Sequence, residues 1–304
     1  MKQSYCFNLL AIVGPTASGK TRLAVALARE LYGEVISADS RQVFRGMDIG
    51  SGKDLQEYGE VSYHLINILD PGGEFSVFDF QRLFVKAFED ITARAALPVL
   101  CGGSGLYLDA ALRGYRMVSV PEDAALRSKL ADRSDFELAA ILLKLRPSQH
   151  NSSDLTERNR TIRAIEIASH ELTDKAEKMP LPAIRPLVLG IRWEREELRR
   201  RITERLMQRL ASGMIEEVQQ LHDSGIDWER LDYYGLEYRF VGAYLRGELT
   251  HSDLFKKLNS AIHAFAKRQE TWFRRMERNG VLIHWLKGGG TVLQEARKII
   301  EQSH

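Results

Sequence analysis

Cysteine is scarce in this chain, with only Cys6 and Cys101 among 304 residues. Each lies in or beside an apolar run, so buried thiols in a reducing compartment are expected rather than a disulfide framework. With no cysteine pair and no histidine cluster at ligand spacing, a protein-held metal centre is unsupported. No apolar run approaches the roughly 20 residues of a membrane span. Met1-Lys2-Gln3-Ser4 leads directly into a strand-like run, which leaves no room for a cleavable leader. The expectation is therefore a cytoplasmic protein with no membrane partner. An excess of one charge is missing too, since 43 basic and 41 acidic side chains give a net +2. Lastly, no apolar run ends in the Asp-Glu pair of a hydrolytic ATPase, so nucleoside triphosphate hydrolysis is not implied.

What is present begins at Gly14-Pro15-Thr16-Ala17-Ser18-Gly19-Lys20-Thr21, between the apolar run Phe7–Val13 and a helical pattern over 23–31. This is the strand–GxxxxGK[ST]–helix arrangement of a P-loop, the motif of ATP and other nucleotide binding. Glycines let the backbone curl so that amide N–H groups converge on an anion. The helix N-terminus adds partial positive charge and Lys20 a full one, and the Thr21 hydroxyl is placed to hold Mg²⁺. A chance glycine-rich turn would not need that strand and helix around it. A polyphosphate or diphosphate ligand follows.

Short strands alternate with helices along the rest of the chain. Glu34–Ser37 predicts a second strand ending at Asp39, His64–Leu69 a further one, and 77–96 an amphipathic helix. Pro98–Cys101 predicts a buried strand opening onto Gly102-Gly103-Ser104-Gly105, with a helix from Leu106. Leu187–Ile191 and Val281–Trp285 predict two more strands, and 194–222 and 254–277 two long helices. The fold class is α/β: a P-loop, kinase-like doubly wound parallel sheet. Residues 120–185 are helical, charged and punctuated by proline, which predicts a helical insertion domain between core segments 1–119 and 186–304. Ligands in such sheets sit beyond the carboxyl ends of the strands, which puts the P-loop, Asp39 and Ser104 on one rim.

Two segments narrow the chemistry. Asp39 leads Asp39-Ser40-Arg41-Gln42 and could be a Mg²⁺ ligand, a general base or a helix cap. Ser104 carries a hydroxyl from a glycine-rich turn to the same rim. Charge is also clustered, in Arg158, Arg160 and Arg163, in 199–209, and in 267–278 around Trp272 and Phe273. Such runs are usually solvated helix faces, but three of them, one interleaved with aromatics, also suit a polyanionic partner.

Taken with Arg45-Gly46-Met47-Asp48-Ile49-Gly50, His64–Pro71, Phe75-Ser76-Val77, Gly102–Leu108, Arg160–Glu166 and Ala266–Arg274, the chain resembles the tRNA dimethylallyltransferases, bacterial type, over nearly its whole length. The resemblance implies transfer of a dimethylallyl group from dimethylallyl diphosphate to N6 of the adenosine 3′ of the tRNA anticodon. It implies that the P-loop, Gly14 to Thr21 with Arg205, holds the donor diphosphate in place of ATP. Lys20, Asp39 and Ser104 would be catalytic, Asp39 as base and Ser104 where the family usually has threonine. Contacts to the anticodon stem-loop would come from Asp39, Ser40, Arg41, Gln42, Ser104, Arg127, Asn159, Arg160, Thr161, Ile162, Arg163, Tyr234, Arg239, Lys267, Arg268 and Arg274. A monomer is expected. The chain departs from the family at Tyr233-Tyr234-Gly235-Leu236-Glu237-Tyr238-Arg239, where a Gly-Tyr-Lys-Glu-type segment is usual. Two other readings stand beside this one: a free-adenylate isopentenyltransferase, and a P-loop RNA-binding protein without transfer chemistry.

Overall fold

A computed structural model describes residues 5–114, 120–147, 155, 157–171 and 181–303. The chain divides into two compact units, Met1–Tyr115 with Pro182–His304, and Arg116–Leu181. In chain order the first unit begins β1 (Leu9–Val13), α1 (Lys20–Glu30), β2 (Gly33–Ala38), β3 (Tyr63–His64), α2 (Val77–Ala93), β4 (Leu97–Gly102) and α3 (Gly105–Leu112). The second unit holds α4 (Ala124–Leu130), α5 (Asp135–Leu145) and α6 (Arg158–Glu171). The first unit resumes with β5 (Pro186–Arg192), α7 (Arg195–Ala211), α8 (Met214–Asp223), α9 (Trp228–Tyr233) and α10 (Leu236–Leu245). It ends with α11 (His251–Arg278), β6 (Ile283–Lys287) and α12 (Val292–Glu301).

The six strands form one parallel sheet in the order β3-β2-β4-β1-β5-β6. β1 is Leu-Leu-Ala-Ile-Val and is buried along its whole length, the pattern of a central parallel strand covered on both faces. Leu10, Ile12, Val35, Val99 and Leu189 meet Leu23 and Leu27 of α1 and Ile300 of α12 in one core. α2 packs over β2 and β4 and is capped reciprocally by Ser76 and Asp79. Its Phe80 stacks on Tyr107 of α3 at 4.4 Å, so α2 and α3 share one aromatic seam. Along α11 the buried side chains fall at Leu254, Leu258, Ile262, Ala266, Gln269, Phe273 and Met276, one face at helical spacing.

The second unit has its own small core of Leu130, Leu138, Leu142, Ala164 and Ile165. Beside it the buried Glu166 accepts from Arg127 Nε (2.7 Å), Arg163 Nη1 (2.8 Å) and the Asp123 amide (3.1 Å). Burial works to raise its pKa, but those donors prevail and hold the carboxyl below its ordinary value.

Two expectations change. The strand over His64–Leu69 stops at His64, because Leu65 and Asn67 take left-handed backbone (φ 62° and 56°). That turn delivers Asn67 Oδ1 to the buried Lys53 ammonium at 2.5 Å. The single helix over 194–222 is two, broken at Gly213, whose φ of 100° few other residues tolerate.

β2 and β4 pair Ala38 with Gly102, the last residue of each strand. A Cβ at Gly102 would lie 2.3 Å from the Ala38 carbonyl oxygen. Gly102→Ala must therefore part the two strands where the rim loops leave them, at a cost of about 1–3 kcal/mol. Urea unfolding checks this; an unchanged midpoint would mean the strands separate without strain.

Candidate active site on the rim of the sheet

The phosphate loop is built as its sequence demands. Ala17 and Gly19 both take left-handed backbone, and Gly19 leads straight into α1. A Cβ on Gly14 would sit 2.7 Å from Ser18 Oγ. Among the described residues the amides of Ala17, Gly19, Lys20 and Thr21 make no intrachain hydrogen bond. The Ser18 hydroxyl is buried without a partner as well. A curled backbone with unmet donors at a helix N-terminus is an anion cradle.

Side chains remote in sequence hold this loop in shape. Trp193, just after β5, donates its Nε1 to the Ser18 carbonyl (2.9 Å), and Arg201 of α7 donates to the Ala17 carbonyl (3.0 Å). Gln269 of α11 accepts the Thr16 amide (2.8 Å) and donates Nε2 to the Gly103 carbonyl (2.9 Å). One buried carboxamide thus joins the phosphate loop to the glycine loop after β4. Glycine is required there, since a Cβ at Gly103 would reach 2.4 Å from Gln269 Nε2 and one at Gly105 would reach 2.1 Å from the Trp272 ring.

Asp39 follows β2 and Ser104 follows β4 on neighbouring strands. Asp39 Oδ1 accepts the Arg41 amide at 2.9 Å, which fixes the carboxylate in a local turn rather than as the cap of a helix. The Ser104 hydroxyl makes no cap bond to α3, although Ser104 precedes that helix. It is half-buried and uncommitted to any described partner.

A cavity of about 800 Å³ opens beside Lys20 and Thr21, walled by Asp48–Glu57 and by Arg201, Arg205 and Arg209 of α7. Burial lowers the pKa of the Lys20 ammonium, and the Arg205 charge acts the same way, against the influence of Cys101, Asp39 and Asp54. Arg205 is ion-paired with Asp54, and Arg209 with Glu237 at 3.5 Å. Burial raises the pKa of the Glu237 carboxyl despite that arginine. Beneath the loop, burial pushes the Cys101 thiol up to about 11, and it lies in hydrogen-bonding reach of the Thr21 hydroxyl.

The cavity wall has its own anchor. Glu217 of α8 is buried and accepts the amides of Asp48 (2.8 Å), Ile49 (2.6 Å) and Gly50 (2.9 Å), plus the Tyr238 hydroxyl (3.1 Å). Lys53, fully buried, binds the Phe44 carbonyl, Asp48 and Asn67 at 2.5–2.6 Å. Gly52 is the contact point for the arginines, for a Cβ there would fall 1.5 Å from Arg209 Nη2.

Among described residues no three His, Cys, Asp or Glu side chains converge on a metal position. A hydroxyl such as that of Thr21 still suits Mg²⁺, which keeps several waters and takes phosphate oxygens as ligands. The residues present fit that mode of binding and no closed cage.

The residues assigned to tRNA by resemblance part into two sets. Ser40 and Arg41 lie at the rim, with Arg41 over the Tyr233 ring at 5.2 Å. Asn159, Arg160, Arg239, Lys267, Arg268 and Arg274 are exposed. Others are occupied internally. Gln42 is held by Ser37 (2.8 Å) and the Gly52 carbonyl (3.2 Å), and Tyr234 is buried with its hydroxyl on Gly72 and Gly73. Arg127 and Arg163 hold Glu166, Thr161 is buried and bonds back to Glu157, and Ile162 packs on the small core. The apolar bodies of Tyr234 and Ile162 explain why the first is buried and the second partly so, and the neighbouring Tyr233 is exposed instead.

Gln269, Lys53, Glu217 and Trp193 were not singled out by sequence, and Arg201 and Arg209 only as members of the 199–209 charge run. Gln269 lies inside a segment that carries the resemblance, which was its only signal, whereas Lys53 lies outside those segments. Glu217 gave none.

Three comparisons bear on this site. The family model described as IPP transferase matches residues 42–276. The chain is 71% identical over 300 residues to tRNA dimethylallyltransferase 2 of Trichlorobacter lovleyi, covering 99% of this chain and 98% of that one. It is 69% identical to tRNA dimethylallyltransferase 2 of Pelobacter propionicus, covering 97% and 94%. Among solved structures it is similar to the tRNA isopentenylpyrophosphate transferase of Bacillus halodurans, with a TM-score of 0.72, 34% identity and coverage of 97% and 96%.

The carboxamide of Gln269 yields a direct test. Gln269→Leu leaves the Thr16 amide and the Gly103 carbonyl unpaired, about 1–3 kcal/mol for each orphaned group. Gln269→Glu keeps the acceptor for Thr16 but sets a carboxylate against the Gly103 carbonyl. Both variants should unfold at lower urea concentration and turn over more slowly than wild type. A folded Glu variant with wild-type turnover would show that the two loops need no such tie.

Proposed function

The chain belongs to the IPP transferase family, and from that premise we propose that it moves a dimethylallyl group from dimethylallyl diphosphate to N6 of the adenosine 3′ of the tRNA anticodon. It is a tRNA-modifying prenyltransferase, and the relatives' names leave the free-adenylate and non-catalytic readings unfavoured. One observation carries the finer reading. A phosphate loop with unmet amides shares its rim with a carboxylate and a free hydroxyl from adjacent strands, tied to it through Gln269.

The chemistry follows from that arrangement. The adenine N6 forms a bond to the allylic C1 as the C1–O bond to diphosphate breaks. Negative charge builds on the departing diphosphate, and the amides of Gly19, Lys20 and Thr21 with the Lys20 ammonium stabilise it where it develops. Arg205, held by Asp54 in the free protein, lies at the edge of the same cavity and is placed to exchange that carboxylate for a phosphate oxygen. Mg²⁺ held at Thr21 would neutralise part of the diphosphate charge. N6 is a weak nucleophile because its lone pair is delocalised into the ring, and Asp39 accepts the proton it sheds. Ser104 supplies a hydrogen bond that orients the acceptor. The target base reaches this rim only by leaving the anticodon-loop stack.

Exposed Lys267, Arg268 and Arg274 on α11 supply cations for tRNA phosphates, and they carry no ion pair to Glu270 or Glu277 among the described residues. One chain suffices, because the cavity, Asp39, Ser104 and α11 all belong to the first unit. Work in the cytoplasm fits two free thiols, of which Cys101 is buried as expected and Cys6 is exposed, against expectation. No helix among the described residues is long and apolar enough to cross a membrane.

Incubation of unmodified tRNA with the protein, Mg²⁺ and dimethylallyl diphosphate should yield N6-dimethylallyl adenosine by nucleoside mass spectrometry. Lys20→Ala should cut that yield by several orders of magnitude with tRNA binding nearly unchanged. Normal transfer by a folded Lys20→Ala protein would refute the donor site. Asp39→Asn keeps an oxygen for the Arg41 amide and removes the basicity, so single-turnover rates should fall by roughly 10²–10⁴. A near wild-type rate would exclude Asp39 as the base.

A further inference from the structure

A second cavity, about 640 Å³, lies on the other side of the phosphate loop, with Pro15 in its wall. The end of β5 gives it Arg192, α7 gives Arg195 and Arg199, and α11 gives Lys267 and Arg274. All five are exposed, and one carboxylate, Glu270, shares the lining with them. No carboxylate lies within 4 Å of Arg192, Arg195, Lys267 or Arg274 among the described residues. Arg199 reaches only the exposed Glu196, at 4.0 Å. The donor cavity differs, for there Asp54 and Glu237 already neutralise Arg205 and Arg209.

Five cations facing one cavity almost without counter-charge repel one another, and an anion relieves that repulsion. The aromatic lining narrows what kind. Arg192 covers Trp285 at 4.1 Å and Arg201 covers Trp193 at 4.3 Å, so a guanidinium already occupies a face of each indole. The cavity is therefore made to meet phosphates and not to stack a base. Its cations are also spread over two helices and a strand end, and Lys267 and Arg274 continue them onto the outer face of α11. A small anion needs one convergent point, whereas a chain of phosphates needs a track.

We propose that this cavity is a second phosphodiester-binding site, carrying the backbone of the RNA substrate from α11 across to α7 and the end of β5. The proposal rests on the tRNA reading given above. Arg192, Arg195 and Arg199 then add sequence-independent affinity and fix the approach of the RNA to Pro15, one residue from the Thr16 amide that Gln269 holds.

The test is tRNA affinity measured from low to moderate salt for wild type, for Arg192→Gln/Arg195→Gln/Arg199→Gln, and for the matching Lys triple. Each phosphate contact contributes roughly 0.7–0.9 to the log–log salt slope. The Gln triple should lose about two units of slope and bind several-fold more weakly at low salt, while the Lys triple keeps the wild-type slope. Dimethylallyl diphosphate affinity, measured by calorimetry, should be equal in all three, which separates loss of the site from loss of the fold. Parallel slopes for wild type and the Gln triple overturn the proposal. Unchanged slopes with loss of a second inorganic diphosphate bound per chain would make the cavity a small-anion site, and that also overturns it. A wild type that neither binds tRNA in a salt-dependent way nor prenylates it would instead bring down the reading beneath.

Discussion

The site depends on how closely three parallel strands can lie at their carboxyl ends. β4 sits between β2 and β1, with Gly102 opposite both Ala38 and Val13. Any side chain at Gly102 would strike the Ala38 carbonyl, so the approach exists only because that residue has none. Close strands mean that the loops leaving them are close as well. The P-loop, Asp39 and Ser104 share a rim for that reason, and a second polypeptide or a hinge is not needed to assemble them. Helix α11 then finishes the arrangement by inserting one carboxamide between the loops that follow β1 and β4.

Charge within the free protein is arranged to be exchanged. A buried or half-buried arginine without a partner is costly, and Asp54 and Glu237 meet that cost for Arg205 and Arg209. Arg205 and Arg209 both face the cavity beside Lys20, where under the proposed reading a diphosphate would offer them a stronger and bidentate partner. Lys20 has no such resident carboxylate in contact, and its lowered pKa reflects burial beside Arg205. Under the proposed reading, an incoming diphosphate would meet Lys20 and take the place of Asp54 at Arg205.

Legibility in sequence followed the range of the interaction. The P-loop could be read because eight contiguous residues make it; the Asp39 turn was not read, for a helix cap was among the expectations where the carboxylate instead accepts the amide two residues on. The fold class could be read from continuous apolar runs such as Leu9–Val13. His64–Leu69 looked like a strand by composition, but Lys53 draws Asn67 out of the sheet from fourteen residues away. Glu217 reaches back almost 170 residues to the amides of Asp48 to Gly50, and no local pattern marks a glutamate as a backbone acceptor. Likewise Arg127 and Arg163 look like surface polar residues in sequence until Glu166 shows which way their donors turn, and Thr161 turns its hydroxyl back to the Glu157 carbonyl. Contacts resting on pairs distant in sequence were out of reach, whereas the local geometry of the P-loop was not.

The departure at 233–239 fits this account. Where the family usually has Gly-Tyr-Lys-Glu, this chain puts Tyr234 under Phe44 at 4.7 Å, Glu237 on Arg209 and Tyr238 on Glu217. Every one of those contacts bears on the Phe44–Gly52 wall or on the arginines that face it. A Cβ at Gly50 would strike Tyr238 at 2.8 Å, so the tyrosine and the glycine require each other. The altered segment therefore supports the wall of the cavity beside Lys20. In the same stretch Tyr233 and Arg239 stay exposed, and Arg41 over the Tyr233 ring connects that surface to the Asp39 turn. Under the proposed reading, a segment that meets both the cavity wall and the rim would couple the placement of donor and acceptor, and its substitutions would not act through tRNA contact alone.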